Sequence, residues 1–360
     1  MKIARRKTVV TIVQDPRIEL LQGGRRLWPD LRDGLISTAT VFVPYGCPDW
    51  GESKGERNNL CTFCALPNAV MEYRKMFYGG YPPSISDHIS IFQQTLRETM
   101  GSDVPHTLMV FNAGSFLAMP SELQLALVQE IIPYLVKRVV VEARASLITP
   151  LSLAPLVEIL SAHDISLTIR IGVETQDDNL RNKVLKKGHQ RRQLEEAVHT
   201  IHALGVTAGG YALLNPAPGI SLSWAIQEAT STIAWILNEQ GADGLGMEEV
   251  YFSPACVAPG TLLHKAWLND GFVPANLWAV LKVLKDTLPC FGGRIHLLPF
   301  QDVPPFLAIP SNHVPKGIPE SLEGAAECDL EFYNLFERYR ETMDPQVLVA
   351  PMCSCRPSWF

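Results

Sequence analysis

Residues 38–47, TATVFVPYGC, carry a β-branched run into a proline, a glycine and a cysteine, and this stretch decides the fold. The run predicts a strand over residues 38–44. Similar runs recur up to about residue 253, separated by longer segments with the apolar spacing of helices, at 106–111, 138–141, 166–173, 207–214 and 249–252. Six strands separated by helices form right-handed βαβ units. We therefore expect a parallel sheet, either doubly wound or closed into a full or partial barrel.

The composition is that of a folded chain with a large apolar interior. Of the 360 residues, 47% are hydrophobic and 19% are charged, which excludes wholesale disorder. The formal net charge of −6 argues against non-specific coating of nucleic acid, although a local basic groove stays open. No run reaches the roughly 20 apolar residues of a membrane span. Asp15 and Glu19 interrupt the basic N-terminus early, so we expect no signal peptide, no membrane contact and a cytoplasmic location.

The eight cysteines of an intracellular chain are expected to be metal ligands or nucleophiles rather than disulfides. Cys47, Cys61 and Cys64 follow the first predicted strand, and ligand sites in parallel sheets lie at the carboxyl ends of the strands. A 4Fe–4S cluster held by three thiolates leaves one iron open for a small molecule. The alternatives are a zinc site completed by a distant ligand and three unrelated thiols.

Short polar or glycine-containing motifs follow the later strands. They are 112–117 (NAGSFL), 142–144 (EAR), 172–175 (GVET), 186–189 (KKGH), 211–216 (YALLNP), 259–262 (PGTL) and 271–274 (GFVP). In this order, across about residues 36–288, they resemble the radical S-adenosylmethionine (SAM) superfamily. The branch resembled contains the Elongator catalytic subunit and the radical SAM proteins of archaeosine biosynthesis. The resemblance implies an α/β fold: a partial (β/α)6 radical SAM barrel with an α-rich C-terminal extension.

By that resemblance, Cys47, Cys61 and Cys64 hold a 4Fe–4S cluster and SAM binds the open iron. One electron then cleaves SAM to methionine and a 5′-deoxyadenosyl radical, which abstracts hydrogen from the substrate. The residues expected to bind the cofactor are Gly114, Ser115, Glu142, Arg144, Glu174 and Lys187, and those expected to be catalytic are Glu174 and Tyr211. Simpler alternatives stay open: an ordinary turn at residues 114–115, a surface ion pair at 142–144, a solvated basic surface around 187 and a core tyrosine.

For function, the resemblance implies modification of a tRNA base. In the archaeosine group, cleavage of a lysine carbon–nitrogen bond in a lysine-bearing deazaguanine leaves the amidine of archaeosine. Partners would be an electron donor such as ferredoxin or flavodoxin, and tRNA bound through a partner protein. Basic segments at 5–7 and 25–26 are candidate phosphate contacts, and a basic groove from Arg181 to Arg192 would favour tRNA over small substrates. The alternatives are a radical SAM enzyme for a small molecule or peptide, and a non-catalytic metal-binding scaffold.

Three domains are expected: an N-terminal arm over residues 1–37, the barrel over 38–255, and an extension over 256–360 that packs on the barrel. Within the extension, Cys328, Cys353 and Cys355, with His296 or His313 as the fourth ligand, are candidates for a zinc site. The Cys-x-Cys spacing is tighter than is usual for zinc, so free thiols are the alternative.

Overall fold

The computed structural model describes residues 21–30, 34–47, 61–100, 104–239, 243–300, 306–313 and 326–358; of residues 22–30, 34 and 35 it describes the backbone alone. The predicted phosphate contacts at residues 5–7 and the side chains of Arg25 and Arg26 lie outside this description. Within the described part of the chain, no helix combines the length and apolar character needed to cross a membrane.

A single eight-stranded sheet forms the framework, and its strands lie side by side in their order along the chain. Strands β2 to β8 pair in parallel, and β1 pairs antiparallel with β2 at one edge. The strands are β1 (Gln22–Asp30), β2 (Gly34–Phe42), β3 (Thr107–Phe111), β4 (Arg138–Glu142), β5 (Ser166–Glu174), β6 (Thr207–Leu214), β7 (Glu249–Pro254) and β8 (Ile295–Leu297). The seven parallel strands form a half-barrel whose carboxyl ends share one rim.

Helices connect the successive parallel strands, and a last helix follows β8. In the described residues they are α1 (Leu66–Tyr78), α2 (Ile85–Met100), α3 (Ser121–Ile131), α4 (Pro150–Ser161), α5 (Arg191–Ala203), α6 (Leu222–Leu237), α7 (Leu262–Asn269), α8 (Leu277–Phe291) and α9 (Glu327–Thr342). The hydroxyls of Thr149 and Ser221 accept backbone N–H groups at the start of α4 and α6, which fixes where these helices begin. Val139 and Ile169 are fully buried in one core cluster with Leu153 of α4.

The predicted α/β partial barrel is confirmed, and the six predicted strands are β2 to β7. The structure adds a seventh parallel strand, β8, and the antiparallel β1. Neither strand has the apolar, β-branched run from which the other strands were predicted, because β8 has only three residues and β1 (QGGRRLWPD) lacks apolar alternation. Helices α1 and α7 were also not predicted. The domain boundaries stay predictions, although β8 shows that the region beyond residue 255 contributes a strand to the sheet.

Candidate functional site

A cavity of about 460 Å³ lies against one face of the half-barrel, and its size falls in the range usual for small-molecule sites. Side chains at alternate positions line it, for example Thr38, Thr40 and Phe42 on β2, because alternate residues of a strand share a face. Nine of the ten predicted site residues line this cavity: Cys47, Cys61, Cys64, Gly114, Glu142, Arg144, Glu174, Lys187 and Tyr211. Ser115 is fully buried and does not line it.

Cys47 is held in place by close backbone packing of its loop. The Gly46 N–H donates to the Asn112 carbonyl at 2.8 Å, and Gly46 has a φ of +92°, a conformation that favours glycine. A Cβ atom at Gly114 would lie 2.5 Å from the Gly46 carbonyl oxygen and 2.6 Å from Cys47 Cα. The absence of a side chain at Gly114 therefore allows the Cys47 loop to cross the end of β3.

Cys61 and Cys64 lie on a turn that hydrogen bonds fix from two sides. The Thr62 N–H donates to the Leu185 carbonyl at 3.2 Å, and the Thr62 carbonyl accepts the Leu263 N–H at 3.0 Å. Within the turn, the Cys64 N–H donates to the Cys61 carbonyl at 3.3 Å. The loop after β5 and the start of α7 thus position these two thiols, although both are distant in sequence.

Burial raises the pKa of all three thiols, to about 12 for Cys64. The positive charges of Arg144 and Lys187 act in the opposite direction on Cys47, and Lys187 does so on the other two. Since thiolates rather than thiols bind metal, these groups need a further positive charge nearby to ionise at neutral pH. The donor set therefore fits an iron–sulfur or other soft-metal centre, whose charge would displace the protons.

A buried ion pair lies beside the cysteines. Glu174 Oε1 accepts a hydrogen bond from Lys187 Nζ at 2.6 Å, and the two side chains are 6% and 15% exposed. A Cβ atom at Gly172 would overlap Lys187 Nζ and lie 2.5 Å from Glu174 Oε1, so glycine makes room for the pair. Burial opposes the charge on Lys187, but the Glu174 carboxylate holds its pKa above the usual value. Lys187 Nζ also lies 5.9 Å from the ring centre of Phe63, which lies between Cys61 and Cys64 in the sequence.

The backbone around Lys187 is held by Arg144. Arg144 Nη2 donates to the Lys187 carbonyl at 2.8 Å, and the Arg144 N–H donates to Ser115 Oγ at 3.1 Å. The Ser115 carbonyl in turn accepts Asn112 Nδ2 at 2.8 Å. Ser115 thus connects the end of β3 to the loop after β4, while its own side chain lies behind the cavity wall.

His189 presents a neutral imidazole to the same cavity. The residue is fully buried and lines the cavity, and neither ring nitrogen has a hydrogen-bond partner among the described residues. Burial lowers its pKa to about 3, and the charges of Lys187 and Arg144 act in the same direction. The ring therefore stays uncharged at neutral pH. The KKGH motif contained this histidine, but the sequence did not indicate that its ring nitrogens would be left without partners.

Glu142 and Tyr211 form a hydrogen-bonded pair on the cavity wall. The Tyr211 hydroxyl donates to Glu142 Oε1 at 2.7 Å. Burial raises the pKa of Glu142, and the Tyr211 hydrogen bond and the nearby Arg170 oppose that effect. The alternative reading, a surface ion pair between Glu142 and Arg144, is not what the structure shows, because Arg144 bonds the Lys187 carbonyl. Glu142 therefore belongs to a network with β5 and β6.

Sequence reasoning missed the charged residues of that network. Arg170 is buried, and its guanidinium carbon lies 3.6 Å from the ring centre of Tyr251. The Tyr251 hydroxyl donates to Glu249, which also binds Arg138 Nη2 at 2.9 and 3.0 Å. Burial alone would raise the pKa of Glu249, but Arg138 and its other partners lower it to about 2. The sequence did contain one indication of this network. Arg170 is the single charged residue in the apolar strand SLTIRIGV, and a buried charge requires partners.

In the segment from Arg181 to Arg192, where a basic groove would favour tRNA, the structure places Arg181 in the interior and pairs Arg191 and Arg192 with carboxylates. Arg181 is fully buried and donates to the carbonyls of His189 at 2.7 Å and Thr175 at 2.6 Å. Arg191 and Arg192 each pair with a glutamate four residues later. Arg181 therefore holds the loop between β5 and α5 together.

A second group of ligand-type side chains lies in the C-terminal region. His313, Cys328, Cys353 and Cys355 come together with their ligand atoms within 4.8 Å of one another, so this group can bind a metal ion. These four residues do not line the cavity. The other candidate ligand, His296, stacks on Tyr251 with ring centres 4.8 Å apart and is not part of the group.

Comparisons with known proteins agree with this architecture. No family model matches the chain. The archaeosine synthase subunit beta of Methanosarcina acetivorans is 23% identical over 337 residues, which cover 92% of this chain and 86% of that protein. The protein of the same name from Thermococcus kodakarensis is 25% identical over 229 residues, or 62% of this chain and 65% of its own length. The resemblance to archaeosine-biosynthesis proteins is confirmed.

Among solved structures, the archaeal Elp3 of Methanocaldococcus infernus, studied with an N-terminal deletion, superposes with a TM-score of 0.52 at 13% identity. The match covers 74% of this chain and 60% of that one. This likeness shows that the two share a fold, as expected from the resemblance to the Elongator branch. The chain spans less than two thirds of the Elp3 structure.

Proposed function

We propose that this chain is a radical SAM enzyme in which Cys47, Cys61 and Cys64 hold a 4Fe–4S cluster and SAM occupies the adjoining cavity. The observation that carries the proposal is the position of the three cysteines. They line one cavity of about 460 Å³, with a buried lysine–glutamate pair beside them, in loops that follow parallel strands. Three thiolate ligands would leave one iron open, and the cavity offers space for a small molecule at that position.

When bound, the cluster would supply the electron that cleaves SAM to methionine and a 5′-deoxyadenosyl radical. The protein's own residues would hold SAM. Lys187 keeps its positive charge and can bind a carboxylate, while Glu174 can accept hydrogen bonds from an ammonium group or a ribose hydroxyl. Gly114 brings backbone groups to the same wall, and Arg144 fixes the Lys187 backbone through its carbonyl. Glu174, which lines the cavity with these residues, is also a candidate catalytic group.

The substrate, in contrast to SAM, would be bound by the network around Tyr211. Its hydroxyl orients the Glu142 carboxylate, and Arg170 lies close enough to stabilise that carboxylate. A polar substrate that reaches this wall meets a carboxyl group, a phenol and a guanidinium in fixed positions. We propose that these groups orient the substrate carbon whose hydrogen is abstracted.

The proposed substrate is a modified tRNA base, with cleavage of a carbon–nitrogen bond as in archaeosine formation. Support comes from the two relatives named archaeosine synthase subunit beta. Since that name describes a subunit, we propose that a partner protein presents the tRNA. The internal position of Arg181 and the glutamate partners of Arg191 and Arg192 agree with this division of labour. An electron donor such as ferredoxin or flavodoxin and a cytoplasmic location complete the proposal.

The cofactor proposal can be tested on the purified chain without a substrate. The protein is reconstituted anaerobically with iron and sulfide, reduced with dithionite in the presence of SAM, and assayed for 5′-deoxyadenosine. We expect deoxyadenosine from the unaltered protein and from Cys290→Ala, which replaces an exposed cysteine outside the site. Cys61→Ala should form none. Deoxyadenosine that persists in Cys61→Ala, or none from the unaltered protein with a full complement of iron, would refute the proposal.

The substrate is tested separately. The reconstituted protein is offered deazaguanine-modified tRNA that bears the lysine, with and without a tRNA-binding partner subunit, and the nucleosides are analysed by mass spectrometry. Archaeosine in the digest is the expected product. Deoxyadenosine formation that responds to a small molecule or a peptide, but not to this tRNA, would replace the tRNA assignment while it keeps the radical chemistry.

A further inference from the structure

We infer that His313, Cys328, Cys353 and Cys355 form a closed, tetrahedral zinc site that fixes the C-terminal segment to the rest of the fold. The four side chains, which we call the C-terminal tetrad, lie outside the cavity described above. The inference does not depend on the proposed radical chemistry. It selects His313 over His296 as the fourth ligand of the predicted set and gives the ion a structural role.

The spacing of the tetrad fits one ion. All four ligand atoms lie within 4.8 Å of one another. Cys355 Sγ lies 3.3 Å from Cys328 Sγ and 2.7 Å from Cys353 Sγ, and Cys353 Sγ lies 3.9 Å from His313 Nε2. A zinc–sulfur bond of about 2.3 Å places tetrahedral ligands about 3.8 Å apart, which lies within the 4.8 Å that contains all four ligand atoms. The thiolates of a four-iron cluster each bind a different iron, so they would be spread more widely.

The chemistry of the tetrad selects a soft or borderline metal. Three thiolates and one imidazole, with no carboxylate, match the Cys3His sets of structural zinc sites and disfavour magnesium or calcium, which take oxygen ligands. Four protein ligands also leave no position for water or substrate, so the site would be structural rather than catalytic.

Hydrogen-bond donors already point at the three sulfur atoms. Trp278 Nε1 donates to Cys355 Sγ at 3.4 Å, and Asn312 Nδ2 lies 3.6 Å from Cys328 Sγ. The Cys355 N–H donates to Cys353 Sγ at 3.4 Å. Outer N–H groups of this kind orient metal ligands and stabilise the negative charge of a thiolate. The three sulfur atoms are therefore surrounded by the N–H donors expected around metal-bound thiolates, which chance proximity of three cysteines would not provide.

The tetrad joins helix α9 to two segments that lie outside helices and strands. Cys328 lies in the first turn of α9, while Cys353 and Cys355 follow the last described helical turn, Pro345–Val347. His313 lies next to Asn312, whose side-chain oxygen accepts the backbone N–H of Trp278 at 3.2 Å at the start of α8. An ion here would tie the chain's last described residues to α8 and α9, and its binding would stabilise the folded state.

The test measures metals in the full-length protein purified without chelators. Elemental analysis should find about one zinc per chain in the unaltered protein and in Cys290→Ser, the exposed-cysteine control on α8. Cys353→Ser should lose at least tenfold in zinc while it still binds iron on reconstitution. Cys61→Ala should show the reverse, loss of iron and retention of zinc, which separates this inference from the catalytic proposal.

A second measurement avoids variants that fail to fold. When cobalt replaces zinc in the unaltered protein, we expect the intense visible bands of tetrahedral cobalt and a thiolate charge-transfer band. Octahedral cobalt spectra, or no cobalt binding after the metal is removed, would overturn the inference. So would zinc content that is unchanged in Cys353→Ser, or additional iron that disappears from the same variant, since the latter would indicate a second cluster.

Discussion

Replacing Gly114 by alanine should displace the loop that carries Cys47. The backbone of Gly114 lies outside the left-handed region, so alanine fits its local conformation and the effect comes from contact alone. The new Cβ atom would lie 2.6 Å from Cys47 Cα and 2.5 Å from the Gly46 carbonyl oxygen. Carbon atoms in ordinary contact are about 3.5 Å apart, so the two backbones must separate by about 0.9 Å.

A backbone displacement of this size has two expected consequences. Forced overpacking of this kind costs about 1–3 kcal/mol in the free energy of unfolding. The sulfur of Cys47 would also move by several tenths of an ångström, which is more than the roughly 0.2 Å within which metal–ligand distances are held. The iron content after reconstitution should therefore fall more sharply than the stability does.

The assay combines urea unfolding with iron and sulfide content after anaerobic reconstitution. The matched control is Gly210→Ala, whose Cβ atom would lie 2.9 Å from Met247 Sδ and 3.0 Å from Ile236 Cγ2, which are side-chain atoms remote from the cysteines. Gly210→Ala should lose stability and keep its iron, whereas Gly114→Ala should lose both. Full iron content together with unchanged stability in Gly114→Ala would refute the reasoning.

Three further predictions concern buried ionisable groups. Lys187→Met leaves the Glu174 carboxylate buried without its cation, so urea unfolding should show that the free energy of unfolding falls by about 3–5 kcal/mol. The control Lys183→Met, at an exposed lysine, should change it little. A loss below about 1 kcal/mol in Lys187→Met would contradict this prediction. The pKa of His189 is about 3 in the folded state against about 6.5 in the unfolded state, so the free energy of unfolding should fall as the pH drops below 6.5, by about 2 kcal/mol at pH 5. His189→Gln should lose that part of the pH dependence. The same dependence of stability on pH in this variant would count against a neutral imidazole. The pKa of Glu249 is also lowered, from 4.5 to about 2, but here the fold favours the charged form, so Glu249 contributes stability above pH 4.5 that is lost as the pH falls toward 2. Glu249→Gln should remove about 3 kcal/mol at pH 7 and flatten the acid limb of the stability curve.

The parallel sheet could be predicted from sequence because each buried strand is a short apolar run between helical segments. The strand Thr207–Leu214 was predicted with the bounds that the structure has, and the other predicted strands differ by a few residues at their ends. The strands that were missed depend on tertiary contacts. β8 has three residues and exists because it pairs with β7, and β1 contains two adjacent glycines and pairs with β2 only along an edge. The local sequence pattern of a strand does not predict such pairing with distant strands.

The candidate site was predictable where a motif follows a strand, and less so where partners come from distant elements. The motifs placed Glu142, Glu174 and Tyr211 at strand ends, and the structure brings them to one cavity. The partners were not predictable: Glu142 bonds Tyr211 across the sheet rather than Arg144, two residues away. Residues two apart on a strand share a face, but the side chains on neighbouring strands can be equally close. For this reason, spacing along the sequence indicated the residues but not the pairs.

The basic segment after β5 shows why charge alone is a poor guide to binding. As sequence, Arg181 to Arg192 is typical of a phosphate-binding or solvated surface. In the structure, Arg181 lies in the interior and its guanidinium holds the carbonyls of Thr175 and His189, at the two ends of one loop. The Lys187 N–H also donates to the Arg181 carbonyl at 3.0 Å. The guanidinium of Arg181 therefore helps to position His189, and its backbone carbonyl helps to position Lys187, at the cavity wall.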